Sequence, residues 1–121
     1  MIKILIADDD LSILELIQDV LEETKRYEVR AVADGADAYA CLPDFKPDVI
    51  ITDVRMPKMS GTELVEKIRE SDKVIPIAVI SGYPDQAAEL LEVGANMWLD
   101  KPFKDAELLE GVENLVSPKQ A

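Results

Sequence analysis

Histidine does not occur in this sequence. Its absence removes His-ligated metal sites, Ser-His-Asp and Cys-His nucleophile systems, and any histidine phosphoacceptor inside the chain. Cysteine is nearly as scarce. A single Cys41 cannot close an intrachain disulfide, which fits a reducing intracellular compartment, the cytoplasm. Cations are also in deficit, 13 Lys and Arg against 25 Asp and Glu, for a net charge of −12 at pH 7. Such a surface argues against direct contact with nucleic acid or anionic membranes, since both need clustered cations. No apolar run approaches membrane-spanning length. The opening Met1-Ile2-Lys3-Ile4-Leu5-Ile6-Ala7 is cut off by three aspartates, too soon for a signal peptide. With 121 residues the chain is one domain's worth, too short for a catalytic domain plus a separate output domain.

What is present is an apolar fraction of 48%, enough for a real core, arranged in five alternations of a short apolar run and a longer amphipathic one. The short runs are Ile2 to Ala7, Tyr27 to Ala33, Val49 to Thr52, Ile75 to Ile80 and Met97 to Leu99. Several are rich in Val and Ile without clean alternation, as suits strands covered on both faces. The first helical pattern places Ile13, Leu16, Ile17, Val20 and Leu21 on one face, and the last places Leu108, Leu109, Val112, Leu115 and Val116. A helix from about Thr62 to Glu70 buries Leu64, Val65 and Ile68, opened by the capping box Ser60-Gly61-Thr62-Glu63. Gly94 reads as the left-handed cap of the fourth helix. Single helices between strands imply right-handed crossovers and a parallel sheet. The expected fold is α/β: a doubly wound five-stranded parallel sheet with five helices, in the flavodoxin-like order 2-1-3-4-5. It spans residues 1–117, and residues 118–121 read as a tail or the start of a linker.

Sites in such sheets form beyond the carboxyl ends of the strands, above all where the strand order reverses. That rule selects Asp8, Asp9 and Asp10 after the first strand, Asp53 after the third, Ser81 after the fourth and Lys101 after the fifth. Strands one and three are neighbours in this order, so Asp8, Asp9 and Asp53 converge in one cleft. Converging carboxylates repel unless a cation compensates, and Mg²⁺ prefers this kind of donor set, a few carboxylates plus waters and phosphate oxygens. Calcium fits poorly, because the three aspartates lack the spaced oxygens and glycine of an EF-hand loop. One carboxylate remains free to attack phosphorus, with Ser81 as hydrogen-bond donor and Lys101 as point charge toward a phosphoryl group. Asp10, ahead of an apolar-periodic helix, reads as an N-cap rather than a ligand. Met56, Met59 and Cys41 read as packing.

Four segments taken together resemble the receiver domain of two-component response regulators. They are Lys3-Ile4-Leu5-Ile6-Ala7-Asp8-Asp9-Asp10, Asp53-Val54-Arg55-Met56-Pro57-Lys58-Met59-Ser60-Gly61, Ile77-Ala78-Val79-Ile80-Ser81-Gly82 and Lys101-Pro102-Phe103. The resemblance implies that Asp53 is the phosphoacceptor, that Asp9 ligates Mg²⁺ directly, and that Asp8 holds metal-bound water. The backbone carbonyl of Arg55 completes the protein's share of coordination. Ser81 takes the position that hydrogen-bonds the phosphoryl group, Lys101 the lysine position that pairs with it, and Trp98 the switch aromatic position. A Lys101–Pro102 peptide in cis belongs to the same pattern. The phosphoryl donor implied is a sensor histidine kinase or a phosphotransfer protein. The output face is the fourth helix, fifth strand and fifth helix, serving a downstream protein partner or a fused output domain. Between Asp85 and Val116 the acids Asp85, Glu89, Glu92, Asp100, Asp105, Glu107, Glu110 and Glu113 face only Lys101 and Lys104, which suits a protein partner better than DNA.

Two residues depart from the family pattern. Trp98 stands where Tyr or Phe is usual, and its indole nitrogen needs a partner. Arg55 adds a long cation beside the acid cleft. A small phosphatase with an aspartate nucleophile is the enzyme alternative, but it needs a second acid two positions after Asp53, where Arg55 stands. A flavodoxin-like electron carrier would meet three aspartates where the flavin phosphate must sit. The expectation is therefore a signalling switch, not an enzyme, either standing alone or excised from the N-terminus of a longer regulator.

Overall fold

Strand and helix alternate through the whole of residues 1–116, the part of the chain that the computed structural model describes. The order is β1 (Ile2–Ala7), α1 (Leu11–Glu23), β2 (Tyr27–Val32), α2 (Gly35–Phe45), β3 (Val49–Asp53), α3 (Gly61–Ser71), β4 (Ile77–Ser81), α4 (Pro84–Val93), β5 (Met97–Asp100) and α5 (Asp105–Val116). The five strands form one sheet in the order β2-β1-β3-β4-β5, and every pairing is parallel. The expected tail at residues 118–121 lies outside the described residues.

The sheet is covered on both sides, which explains why its central strands read as unbroken apolar runs. Side chains alternate across the pleat. Ile4, Ile6, Val49 and Ile51 pack with Leu14, Ile17 and Leu21 of α1 and Leu108 and Val112 of α5. Leu5, Ala7 and Ile50 pack on the opposite side with Ala38 of α2, Leu64, Val65 and Ile68 of α3, and Ala87 and Leu90 of α4. Each fully buried Ile or Leu contributes about 1.5–3 kcal/mol relative to exposure, so these two layers dominate the stabilisation of the fold.

The helix ends follow local chemistry. Asp10 caps α1, its side chain accepting from Ser12 N and Ile13 N. Ser60 and Glu63 form the expected reciprocal box at α3. Gly94 ends α4 at φ 130°, and a Cβ there would lie 2.8 Å from Cγ of Arg69. Cys41 is half-buried and packs against the α2–α3–α4 layer. Burial pushes its thiol up, with Arg30 opposing.

Two details differ from the sequence reading. The inward stripe of α1 is Leu14, Ile17 and Leu21, while Leu16 stays 41% exposed. Of the expected face Ile13, Leu16, Ile17, Val20 and Leu21, all but Leu16 pack in the α1–α5 layer, and Leu14 takes the place expected for Leu16. The fourth strand starts at Ile77, not Ile75. Pro76 has no N–H for a ladder, and Ile75 N donates instead to Asp72 Oδ1 at 2.9 Å.

Candidate functional site

In the order β2-β1-β3 successive strands are added on opposite sides of β1, and the cleft beyond the carboxyl ends of the parallel β1 and β3 holds the acids. β1 ends at Ala7, which places Asp8 and Asp9 at its tip. β3 ends at Asp53, in register with Ile80 of β4. Asp8, Asp9 and Asp53 each offer a carboxylate oxygen, and these oxygens lie within 4.8 Å of one another. Asp8 is fully buried. Its Oδ1 accepts from Asp10 N at 2.9 Å, which fixes the carboxylate while Asp10 itself turns away to cap α1.

Among the described residues one cation answers these charges. Lys101 Nζ lies 3.1 Å from Asp8 Oδ2 and 3.6 Å from Asp53 Oδ2. Burial pulls the Lys101 ammonium down, but Asp53 and Asp8 more than offset it and hold its pKa above the ordinary lysine value. The compensation is incomplete on the acid side. Burial first, and the neighbouring Asp8 second, push Asp53 up to about 6, against a smaller lowering by the Val54 N–H and Lys101. Hard oxygen donors, crowded and short of positive charge, are what a divalent cation with oxygen preference requires, so the residues fit Mg²⁺.

Ser81 is buried at the end of β4. Its hydroxyl is engaged with its own loop, accepting from Tyr83 N at 3.0 Å and donating to Tyr83 O at 3.2 Å. Its carbonyl receives two donors, Lys101 N at 3.0 Å and the indole nitrogen of Trp98 at 2.9 Å. Trp98 thus finds the partner its nitrogen needs, while its ring packs against the α2–α3–α4 layer. The Lys101–Pro102 peptide is cis. Arg55 is exposed and forms no ion pair among the described residues. It lines a shallow cleft with Ser60, Thr62, Gln86 and Glu89.

The response regulator receiver domain family model matches residues 4–113 of this chain. The chain belongs to that family. As a receiver domain it is 37% identical to the chemotaxis response regulator CheY4 of Vibrio cholerae, covering 96% of this chain and 99% of that one with a TM-score of 0.88. It is 28% identical to the receiver domain of sensor histidine kinase PA1611 of Pseudomonas aeruginosa, solved with a magnesium ion coordinated in the active site cleft. That match covers 95% of this chain and 97% of the other at a TM-score of 0.87. Among curated proteins, the sensor histidine kinase TmoS of Ectopseudomonas mendocina is 39% identical over 98% of this chain and 12% of its own length. The regulator PhoP of Bacillus subtilis is 34% identical over 88% of this chain and 45% of its own. The receiver domain thus spans less than half the length of these two relatives.

The structure brings Asp8, Asp9, Asp53 and Lys101 into one cleft, with Ser81 beside it and Trp98 bonded to Ser81 rather than to the acids. It also shows two residues at the same end of the sheet that sequence reasoning passed over, Asp34 and Gly35. Asp34 is a buried acid that caps α2 and faces Lys58 at 3.7 Å. An acid and a glycine ahead of a helical pattern signal a cap, but nothing local signals a contact with the loop after β3.

Proposed function

We propose that this receiver domain is a phosphorylation switch. Asp53 is its acceptor and, with Asp8, Asp9 and the Arg55 carbonyl, would hold Mg²⁺, and a sensor histidine kinase or phosphotransfer protein is its donor. The observation that carries the reading is the meeting of three carboxylate oxygens within 4.8 Å beside Lys101. Bound there, Mg²⁺ supplies positive charge that screens the carboxylates and the phosphoryl oxygens.

The chain's own residues do the rest. An Asp53 carboxylate oxygen attacks phosphorus, forming an O–P bond as the donor's P–N bond, or the P–O bond of an acyl phosphate, breaks. The leaving group keeps the bonding electron pair. Because the sequence has no histidine, a phosphohistidine donor must come from another protein or domain. Lys101, already beside Asp53, neutralises the added charge. Ser81 exchanges its bonds to Tyr83 for one to the phosphoryl group, and any movement of Ser81 is felt by Trp98 through the bond to its carbonyl. α4, β5 and α5 then present an altered acidic face to a downstream protein partner or a fused output domain. The partner must bind the phosphorylated population more tightly, since only differential affinity shifts the equilibrium.

Acetyl phosphate, with and without Mg²⁺, tests the reading by intact mass and Trp98 fluorescence. The expected result is one Mg²⁺-dependent phosphoryl adduct with a change in emission, and neither in Asp53→Asn. An adduct that persists in Asp53→Asn would move the acceptor elsewhere.

A further inference from the structure

The loop from Val54 to Ser60 carries the Arg55 carbonyl, and its neck is closed by Gly61 N donating to Val54 O at 2.7 Å. A Cβ on Gly61 would lie 2.0 Å from Asp53 O, so the neck admits no side chain. The far limb is a three-residue turn in which Met59 N donates to Pro57 O at 2.7 Å around Lys58, at φ 68°. A non-glycine residue at that φ is strained, and such a turn persists only where its surroundings over-determine it.

The surroundings come from the segment between β2 and α2. Gly35 N donates to Met59 O at 3.1 Å. The approach is so close that a Cβ on Gly35 would sit 2.2 Å from that oxygen and 3.0 Å from Met59 Cβ. Next to it, the buried Asp34 holds Asp37 N with one oxygen at 2.7 Å and faces Lys58 Nζ with the other at 3.7 Å. Met59 in turn packs against the α2–α3–α4 layer. The strained turn is therefore gripped at its backbone, its side-chain charge and its apolar side chain, all outside the acid cleft.

We propose that Asp34 and Gly35 are positioning residues for the metal. By holding Lys58 and Met59 they fix the limb opposite the Arg55 carbonyl, and so set the affinity of the cleft for Mg²⁺. The inference rests on the reading of the cleft as a Mg²⁺ site and adds a determinant that touches neither the metal nor the phosphoryl group. A structural role alone, capping α2, would leave Mg²⁺ affinity untouched.

Calorimetric Mg²⁺ titration of the whole chain, paired with the Mg²⁺ dependence of acetyl phosphate uptake, separates the two roles. Gly35→Ala is expected to raise the Mg²⁺ dissociation constant about tenfold, the low end for residues that orient metal ligands from outside. Its maximal uptake rate should return at saturating Mg²⁺. Asp34→Asn keeps the cap, since Asn caps as well as Asp, but loses the charge facing Lys58. It should weaken Mg²⁺ about threefold, as should Lys58→Gln, and the double variant should be no weaker than either single one. Asp34→Asn keeps the question open to refutation even if Gly35→Ala folds poorly. Unchanged Mg²⁺ affinity in Asp34→Asn and Lys58→Gln, with wild-type binding intact, overturns the proposal and leaves the cleft reading standing. A wild-type chain that binds no Mg²⁺ overturns both.

Discussion

The two ends of the sheet handle buried charge in opposite ways. At the carboxyl end, Asp8, Asp9 and Asp53 crowd together, and Lys101 is the cation that reaches Asp8 and Asp53. At the amino end, one guanidinium meets nothing but acceptors. Arg69 donates from Nε and Nη2 to Gly94 O at 3.0 and 2.9 Å, from Nη1 to Asp72 O at 3.1 Å and from Nη2 to Asn96 Oδ1 at 3.0 Å. Asn96 Oδ1 also accepts from Ile77 N, which ties the start of β4 into the same knot. Both ends remove charge from water, and in both, burial acts against the ionised form. It pulls Arg69 down, with Asp72 opposing, and it pushes Asp53 up to about 6 with help from Asp8. At the amino end each nitrogen of the part-buried guanidinium has an acceptor, so the cost of desolvation is met where it arises. At the carboxyl end negative charge is left in surplus. That surplus makes the cleft attractive to a cation and is tolerable because the other end and the apolar layers carry the stability.

The largest effect should come from breaking the satisfied end. Arg69→Ala leaves the Gly94 carbonyl without its two donors and removes the stem that packs under the α4–β5 turn. Stability in urea should fall by about 1.5–3 kcal/mol, the range for hydrogen bonds to a charged group, here a part-buried one. Mg²⁺ affinity should not move, because nothing in this knot reaches the acid cleft. A loss below about 1 kcal/mol would mean that Arg69 is a surface ornament, and the contrast between the two ends would collapse.

The opposite substitution should stabilise. In the metal-free protein Asp53 has a pKa raised to about 6 from the model-peptide value of 3.8. The folded state therefore holds the proton more tightly than the unfolded state does. The favourable contribution of protonated Asp53 is present below about pH 4 and is lost as pH rises through about 6. Asp53→Asn removes that loss. At pH 7 without Mg²⁺ the variant should be about 1–2 kcal/mol more stable than wild type, a figure discounted because the carboxyl is only partly buried. At pH 4 that gain should largely disappear, and at pH 7 saturating Mg²⁺ should narrow it by stabilising the wild type. Equal stability of the two proteins at pH 7 without metal would show that Lys101 already balances the cleft.

Most of the carboxyl end could be read from the sequence. Local signals place each residue at a strand tip, and the doubly wound order gathers the tips: Asp8 closes an apolar run, Asp53 another, and Lys101 follows a third. Much of the amino end could not. Arg69 looks like any cation in the last turn of an amphipathic helix, and its acceptors, Gly94 and Asn96, lie in a turn that only tertiary packing brings near. Asp34 and Gly35 escaped for the same reason, since a cap is visible in the chain and a grip on a distant loop is not. Trp98 falls between these cases. Its need for a hydrogen-bond partner follows from indole chemistry, but which carbonyl meets it depends on the register of β5 against β4. Leu16 shows the limit of periodicity, because a helix pattern defines a stripe only to within about one residue and the sheet decides which side of it is buried.

The smallest of these effects isolates the source of the pH dependence. Ser60 caps α3 at the end of the loop that follows β3, with its hydroxyl accepting from Glu63 N at 3.1 Å and its own N–H donating to Glu63 Oε1 at 3.1 Å. Ser60→Ala removes the hydroxyl but not the backbone donor, so about 1 kcal/mol of stability should be lost, the usual cost of a missing N-cap oxygen. That oxygen does not titrate. The loss should therefore be the same at pH 5 and pH 7, and the difference between wild type and Asp53→Asn should be unchanged when both carry Ser60→Ala. A pH-dependent loss would show that the cap and the acid cleft are coupled through the loop, and part of the charge surplus assigned to Asp53 would then belong to Glu63.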